Sequence, residues 1–148
     1  MLEQQIFETD YEDDVIDVKE SDYLYLQASQ IKNAGQGLYT SIPIYRGELI
    51  AFFKGEILTE RQVQLRVDKG IDRYFISMLD GKIMDCMKTK CFAKFANDAH
   101  AYGRQHFRNN AQIALTEDNR VCLIATRSIK ANHEIFCGYG KRYWKKHG

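Results

Sequence analysis

At 148 residues, with 45% hydrophobic and 28% charged side chains, the chain has material for one domain with a core and too little for two. Its net charge of +1 joins unlike parts: nine acidic side chains against Lys19 give residues 1–22 a charge of −8, which leaves +9 on residues 23–148. No apolar run approaches the ~20 residues that cross a bilayer, and the opening MLEQQIFETDYEDD is acidic where a secretion signal is basic and then apolar, so membrane insertion and export are disfavoured and an intracellular protein is expected.

The acidic arm, residues 1–22, reads either as a solvated tail folded back on the basic body or as an element that draws a lysine- and arginine-rich partner toward a site. Short strands broken by turns begin at Tyr23, with YLYLQAS, the glycine turn AGQG and LYTSI. ELIAFF and GEILT follow across Lys54, with a hairpin-like break at Gly55. Thr59 with Gln62 three residues on forms a capping-box pattern, and Gly70 is a C-terminal stop, which predicts a helix over about residues 60–69.

YFISML and KIMDC flank Asp80-Gly81 as a hairpin, and KTKCFAKFAN suits one or two helical turns. NAQIALTEDNRVCLIATRSI reads as a second hairpin across EDN, and HEIFC as the last strand. No alternation of strand and helix points to a parallel doubly wound sheet; the expected class is mainly β, several small sheets with short helices.

Cys86, Cys91, Cys122 and Cys137 form no CxxC pair and have no histidine at finger spacing, and His100, His106, His133 and His147 show no metal spacing. Free, mostly buried thiols in a reducing compartment are expected, with no metal. The basic charge is spread along the body without a nucleic-acid-binding motif, so direct nucleic acid binding is disfavoured.

Four separated segments, in order, resemble the SET-domain family of protein lysine methyltransferases. Ala34 to Gly37 opens AGQGLYTSIPIYRGELIAFFKGEIL, similar to the family's Gly-x-Gly turn and its later Tyr-x-Gly-Glu element, here Phe53 to Glu56. MDCMKTKCFAKFAND resembles the stretch in which an aspartate, Asp85, precedes a short helix and an Arg-Phe-x-Asn-His motif; Asn109 to Ala111 looks like Pro-Asn-Ala. NHEIFCGYGKRYW resembles Gly-Glu-Glu-Leu followed by Tyr-Gly. The likeness spans residues 23–144 and implies a domain over 23–148 with small sheets around a knot-like C-terminal segment.

The resemblance implies methyl transfer from S-adenosylmethionine to lysine of a basic protein tail, histone by default. Such an in-line displacement needs donor and amine held end to end away from water. A lysine of pKa ~10.4 must also lose its proton, at a cost of roughly 4 to 5 kcal/mol at pH 7. A narrow apolar channel beside a sulfonium lowers that cost by desolvation and like-charge repulsion.

By the same resemblance, Ala34, Gly35, Gln36, Gly37, Phe95, Asn97, Asp98, Tyr139 and Trp144 hold the cofactor. Phe53, Cys137, Tyr139 and Tyr143 line the lysine channel, and Tyr139 is the catalytic tyrosine, orienting the amine. Glycines suit a backbone that approaches a ligand closely, and an asparagine amide offers donor and acceptor together. Asp85 and Glu134 read as structural acids that bond backbone, arginine or lysine.

The sequence departs from the pattern at Asp98, where the family has histidine, and at Phe53, where it has tyrosine. Cys137 stands where a bulkier aromatic limits methylation, so a pocket with room for dimethylation or trimethylation is expected. Without a cysteine-rich segment after the motif, the channel must be closed by residues 143–148, the acidic arm, a second subunit in a homodimer, or the substrate. Taken singly, AGQG and Asn97-Asp98 are turn sequences, and Gly-Tyr-Gly a loop tyrosine. A decayed module of the same fold that binds a basic peptide is the alternative function.

Overall fold

The computed structural model describes residues 19–78, 80–100 and 106–138. Three small sheets account for the strands among them, in agreement with the expected mainly β class. A short helix α1 (Glu20–Tyr23) leads into β1 (Leu24–Ala28), which pairs antiparallel with β2 (Gln36–Thr40) from Leu24 opposite Thr40 to Ala28 opposite Gln36. The helix begins inside the stretch counted with the acidic arm: Glu20 accepts the Phe52 N–H at 2.9 Å, and Tyr23 donates its hydroxyl to the Ile50 carbonyl at 2.7 Å.

β3 (Leu49–Phe52) and β4 (Glu56–Leu58) do not form the hairpin expected at Gly55. They belong to different sheets, β3 against β8 (Val121–Ala125) and β4 against β6 (Ile83–Asp85). Gly55 marks the change of sheet because its Cα lies on the Asp85–Cys86 backbone, where any Cβ would overlap the Asp85 carbonyl.

The helix α2 (Glu60–Asp68) has the cap expected of it: Thr59 Oγ1 accepts the Gln62 N–H at 3.2 Å, and Gln62 Oε1 accepts the Thr59 N–H at 2.9 Å. It buries no residue and is fastened through Arg66, which donates to Glu56 at 2.9 Å and Asp85 at 2.8 Å. β5 (Phe75–Ser77) and β6 form the hairpin expected at Asp80-Gly81, with Gly81 at φ +88. KTKCFAKFAN supplies a single 3-10 turn, Ala93–Phe95.

β7 (Ala111–Leu115) and β8 pair across the EDN turn, with Asn119 at φ 67. The strand expected at HEIFC is instead two short ones, β9 (Glu134–Ile135) antiparallel to β2 and β10 (Cys137–Gly138) parallel to β7. Phe136 is the change-over. Its N–H goes to Asn110 Oδ1 at 2.8 Å and its carbonyl accepts the Asn110 and Ala111 N–H groups, so a side chain supplies the bond a continuous ladder would have made.

β2 and β8 are the middle strands of their sheets and are buried on both faces, which explains why neither LYT nor VCLIA alternates cleanly. Their residues, Leu38 and Leu123 among them, build the large core together with Ile50, Ile135 and Cys137. A smaller cluster of Ile31, Ala34, Ala99 and Phe136 packs beneath the glycine turn, with the Phe107 ring stacked on Phe136 at 5.3 Å.

Candidate functional site

The glycine turn between β1 and β2 is held by the Ser29 N–H on the Gly35 carbonyl at 2.8 Å and the Ala34 N–H on the Ile31 carbonyl at 3.2 Å. Gly35 takes φ +74, which side chains rarely adopt, and a Cβ there would meet no atom within 4 Å, so the turn opens on free volume. Gly37 has a structural reason of its own: a Cβ at this position would overlap the Glu134 carboxylate. Ala34 is buried under the turn, and Gln36 is exposed on it.

Glu134, 1% exposed, is the anchor of this region. Its carboxylate accepts from Ser29 Oγ at 2.6 Å, the Gln30 N–H at 2.8 Å and the Tyr39 hydroxyl at 3.3 Å. Burial, reinforced by this negative neighbour, raises the Tyr39 pKa above its ordinary value and keeps the phenol a donor. Both acids expected to be structural are so, although Glu134 uses neutral donors and Asp85 uses Arg66 and the Met87 N–H.

Asn97 lies between the turn and the last strands. Its Nδ2 donates to the Gln36 carbonyl at 2.9 Å, its own carbonyl accepts the Cys137 N–H at 2.9 Å, and it forms a parallel bridge with Phe136. The turn, Asn97 and the strand that leads to Tyr139 are therefore joined by hydrogen bonds, with Asn97 in the middle. Asp98 uses one carboxylate oxygen to cap the turn it starts, accepting the His100 N–H at 2.9 Å and Asn109 Nδ2 at 3.1 Å. An aspartate in place of histidine thus has a local partner set that fixes the 98–100 backbone.

Phe53 and Cys137 both belong to the large core cluster, 4% and 0% exposed. Burial pushes the Cys137 thiol far above its ordinary pKa and Asp98 adds to it, so this sulfur is a neutral wall atom and no nucleophile. Phe95 faces away from the glycine turn's side: its ring tilts against Tyr74 at 6.3 Å, sits 5.3 Å from Lys94 Nζ, and lines a separate cavity. Tyr139, Tyr143 and Trp144 lie outside the described residues.

Two asparagines do more than their likeness to Pro-Asn-Ala suggested. Asn109 Oδ1 accepts the Ala99 N–H at 2.8 Å while its Nδ2 sits where a Cβ on Gly138 would go; Asn110 binds the Phe136 N–H and the Glu134 carbonyl. The signal available in the sequence was a pair of adjacent amides directly before a strand, a residue type that prefers to bond backbone.

The donor set suits an amino-acid-bearing cofactor rather than a metal. No group of three or more histidine, cysteine or carboxylate ligands gathers among the described residues. The open volume in front of Gly35, with the half-buried Asn97 and Asp98 tied to the same turn, offers backbone groups and an amide instead.

The profile of the SET domain family matches residues 35–140. Among solved structures, the chain is similar to a humanized mutant of the Chaetomium thermophilum Polycomb Repressive Complex 2 bound to the inhibitor GSK126, with a TM-score of 0.66 and 23% identity. That alignment covers 79% of this chain and 15% of the other, so the chain spans a small part of that protein.

Proposed function

The chain belongs to the SET domain family, a family of protein lysine methyltransferases, and on that premise we propose that it methylates lysine on a basic protein tail, with histone as the default substrate and S-adenosylmethionine as the donor. The observation that carries the reading is the hydrogen-bonded junction of the Gln36 carbonyl, Asn97 and the Cys137 N–H, which brings three of the four matched segments to one place.

In this reading the backbone of Ala34 to Gly37 and the Asn97-Asp98 pair hold the cofactor, with Trp144 and Phe95 as further candidates. The cofactor supplies an electrophilic methyl group on a sulfonium. The protein's share is to orient and desolvate. Phe53 and Cys137 give dry walls, which lower the amine's pKa, and Tyr139 hydrogen-bonds the amine and aligns it with the methyl group. Tyr143 completes the channel toward solvent. Phe53 brings no hydroxyl to the amine, so the orienting duty falls more heavily on Tyr139.

The acidic arm suits a cationic substrate, since opposite charge raises the encounter rate. A homodimer partner is one way to close the channel. We place the protein inside the cell, in the nucleus if its target is histone.

Incubation with S-adenosylmethionine, histones and a cell lysate, followed by mapping of methyl-lysines by mass spectrometry, tests the reading. Tyr139→Phe should lower the signal by about 100-fold or more, the scale for loss of one donor at a reacting centre; an unchanged signal removes Tyr139 from the chemistry. The small Cys137 side chain predicts dimethyl or trimethyl products, and Cys137→Tyr a shift toward monomethyl. The departures at Asp98 and Phe53 favour a competing reading, a decayed module that binds a basic peptide. Failure to bind S-adenosylmethionine at micromolar concentration would decide for it.

A further inference from the structure

A cavity of about 1060 Å3 opens on the side of the molecule to which Phe95 turns. Its described wall carries Lys19, Lys54, Lys88, Lys90 and Lys94 against Glu20, above an apolar floor that includes Cys91. Donors converge on that sulfur. The Lys54 N–H reaches Cys91 Sγ at 3.4 Å, the Lys94 main-chain N–H and the Cys86 thiol also hydrogen-bond to it, and the acceptor facing it, the Phe52 carbonyl, stands off at 3.7 Å.

The partner sulfur is placed differently. Cys86 is fully buried at the end of β6, next to Asp85, and both burial and the neighbouring sulfur favour its protonated form, while the same hydrogen bonds lower the pKa of Cys91. The connection between the two is stapled: Lys94 Nζ donates to the carbonyls of Cys86, Met87 and Thr89 at 3.0, 3.0 and 3.1 Å. An attacking sulfur that is stabilised as thiolate and reachable from a cavity, beside a buried thiol in hydrogen-bond contact, is the arrangement of an oxidisable dithiol. No third ligand that would make it a metal site gathers there among the described residues.

We propose that Cys91 and Cys86 form a hydroperoxide-sensitive pair, Cys91 as the attacking sulfur reached through the lysine-walled cavity and Cys86 as the resolving one. The Cys91 thiolate attacks the terminal peroxide oxygen; an S–O bond forms, the O–O bond breaks, and the other oxygen leaves as water or alcohol after taking up a proton. Sulfur loses two electrons and the peroxide gains them. Cys86 then attacks the Cys91 sulfur, the S–S bond forms, the S–O bond breaks, and hydroxide leaves with the Cys86 proton as water. The disulfide would tie the end of β6 to the residues just before the 3-10 turn that leads to Asn97. None of this depends on the methyl-transfer reading.

The full-length chain treated with hydrogen peroxide, blocked with iodoacetamide and peptide-mapped gives the test. The expected first product links Cys86 to Cys91 within one chain, lighter by two hydrogens, and reverts with dithiothreitol. Cys122 and Cys137, whose thiols burial pushes up in pKa, should react more than about tenfold more slowly. In Cys86→Ser, a Cys91 sulfenic acid should be trapped by dimedone. The proposal is overturned if Cys122 or Cys137 oxidises as fast as Cys91, if the disulfide joins two chains, or if a Cys86→Ser protein with native circular dichroism yields no dimedone adduct. If that variant does not fold, the wild-type map decides alone.

Discussion

Two carboxylates are buried to nearly the same degree, Glu134 at 1% and Asp85 at 2% exposed, and they are satisfied in opposite ways. Glu134 sits among neutral donors, the Ser29 and Tyr39 hydroxyls and the Gln30 N–H, drawn from the two arms of the β1–β2 connection. Asp85 is paired with a cation, Arg66, which divides itself between Asp85 and the more exposed Glu56. The first arrangement fixes loop positions from several directions at once, as a site with a required geometry needs. The second fastens a surface helix that buries nothing, where a looser attachment is tolerated.

The largest effect expected from breaking this contrast is Glu134→Ala, which strands three buried or half-buried donors and removes the charge that orders them. A loss of about 4 kcal/mol in urea unfolding is expected, and a loss below about 1 kcal/mol would mean the anchor is dispensable. Gly37→Ala should cost about 2 to 3 kcal/mol because its methyl group overlaps the same carboxylate. Combined with Glu134→Ala it should cost much less than the sum, since the clash then has no partner; additive losses would place the strain elsewhere.

A pH measurement probes the α1–β3 seam. Burial, with Glu20 and Glu48 adding to it, pushes the Tyr23 pKa up to about 12 from 10.0. The folded state therefore holds the proton more tightly than the unfolded chain. This stability is fully present below pH 10 and is lost as pH rises through 10 to 12, by up to about 2 kcal/mol. Tyr23→Phe should flatten that part of the stability curve; an unaltered slope would assign the alkaline loss to other groups.

The smallest effect belongs to the helix. Thr59→Ala removes the cap of α2 and should cost about 1 kcal/mol, seen as faster amide exchange within residues 60–68 and little change near Asn97. If exchange rose equally around Asn97, the two regions would not be as independent as their bonding suggests.

Much of this was legible in the chain because the signals are local. The capping box at Thr59 and Gln62, the Asp80-Gly81 hairpin and the EDN turn each rest on residues within one turn of one another, and each is where the pattern puts it. Gly35 was legible as a position of special backbone, and the family pattern fixed the order of the segments. The break at Gly55 and the split of HEIFC were not legible. Both are places where the chain leaves one sheet for another, and the deciding contacts, the Asp85 backbone for Gly55 and the Asn110 amide for Phe136, come from distant parts of the sequence.

By itself, the sequence determined the fold class, the family and the short-range elements, because period, capping and turn chemistry act within a few residues. Only the tertiary structure decided that Gly37 answers to Glu134, that Asp98 and Asn109 bind each other, that Phe95 faces a different cavity from the glycine turn, and that Cys86 meets Cys91 under a lysine staple. Those outcomes depend on which strands become neighbours, and a side chain's partner is set by the neighbour that packing delivers to it rather than by the residues beside it in the chain.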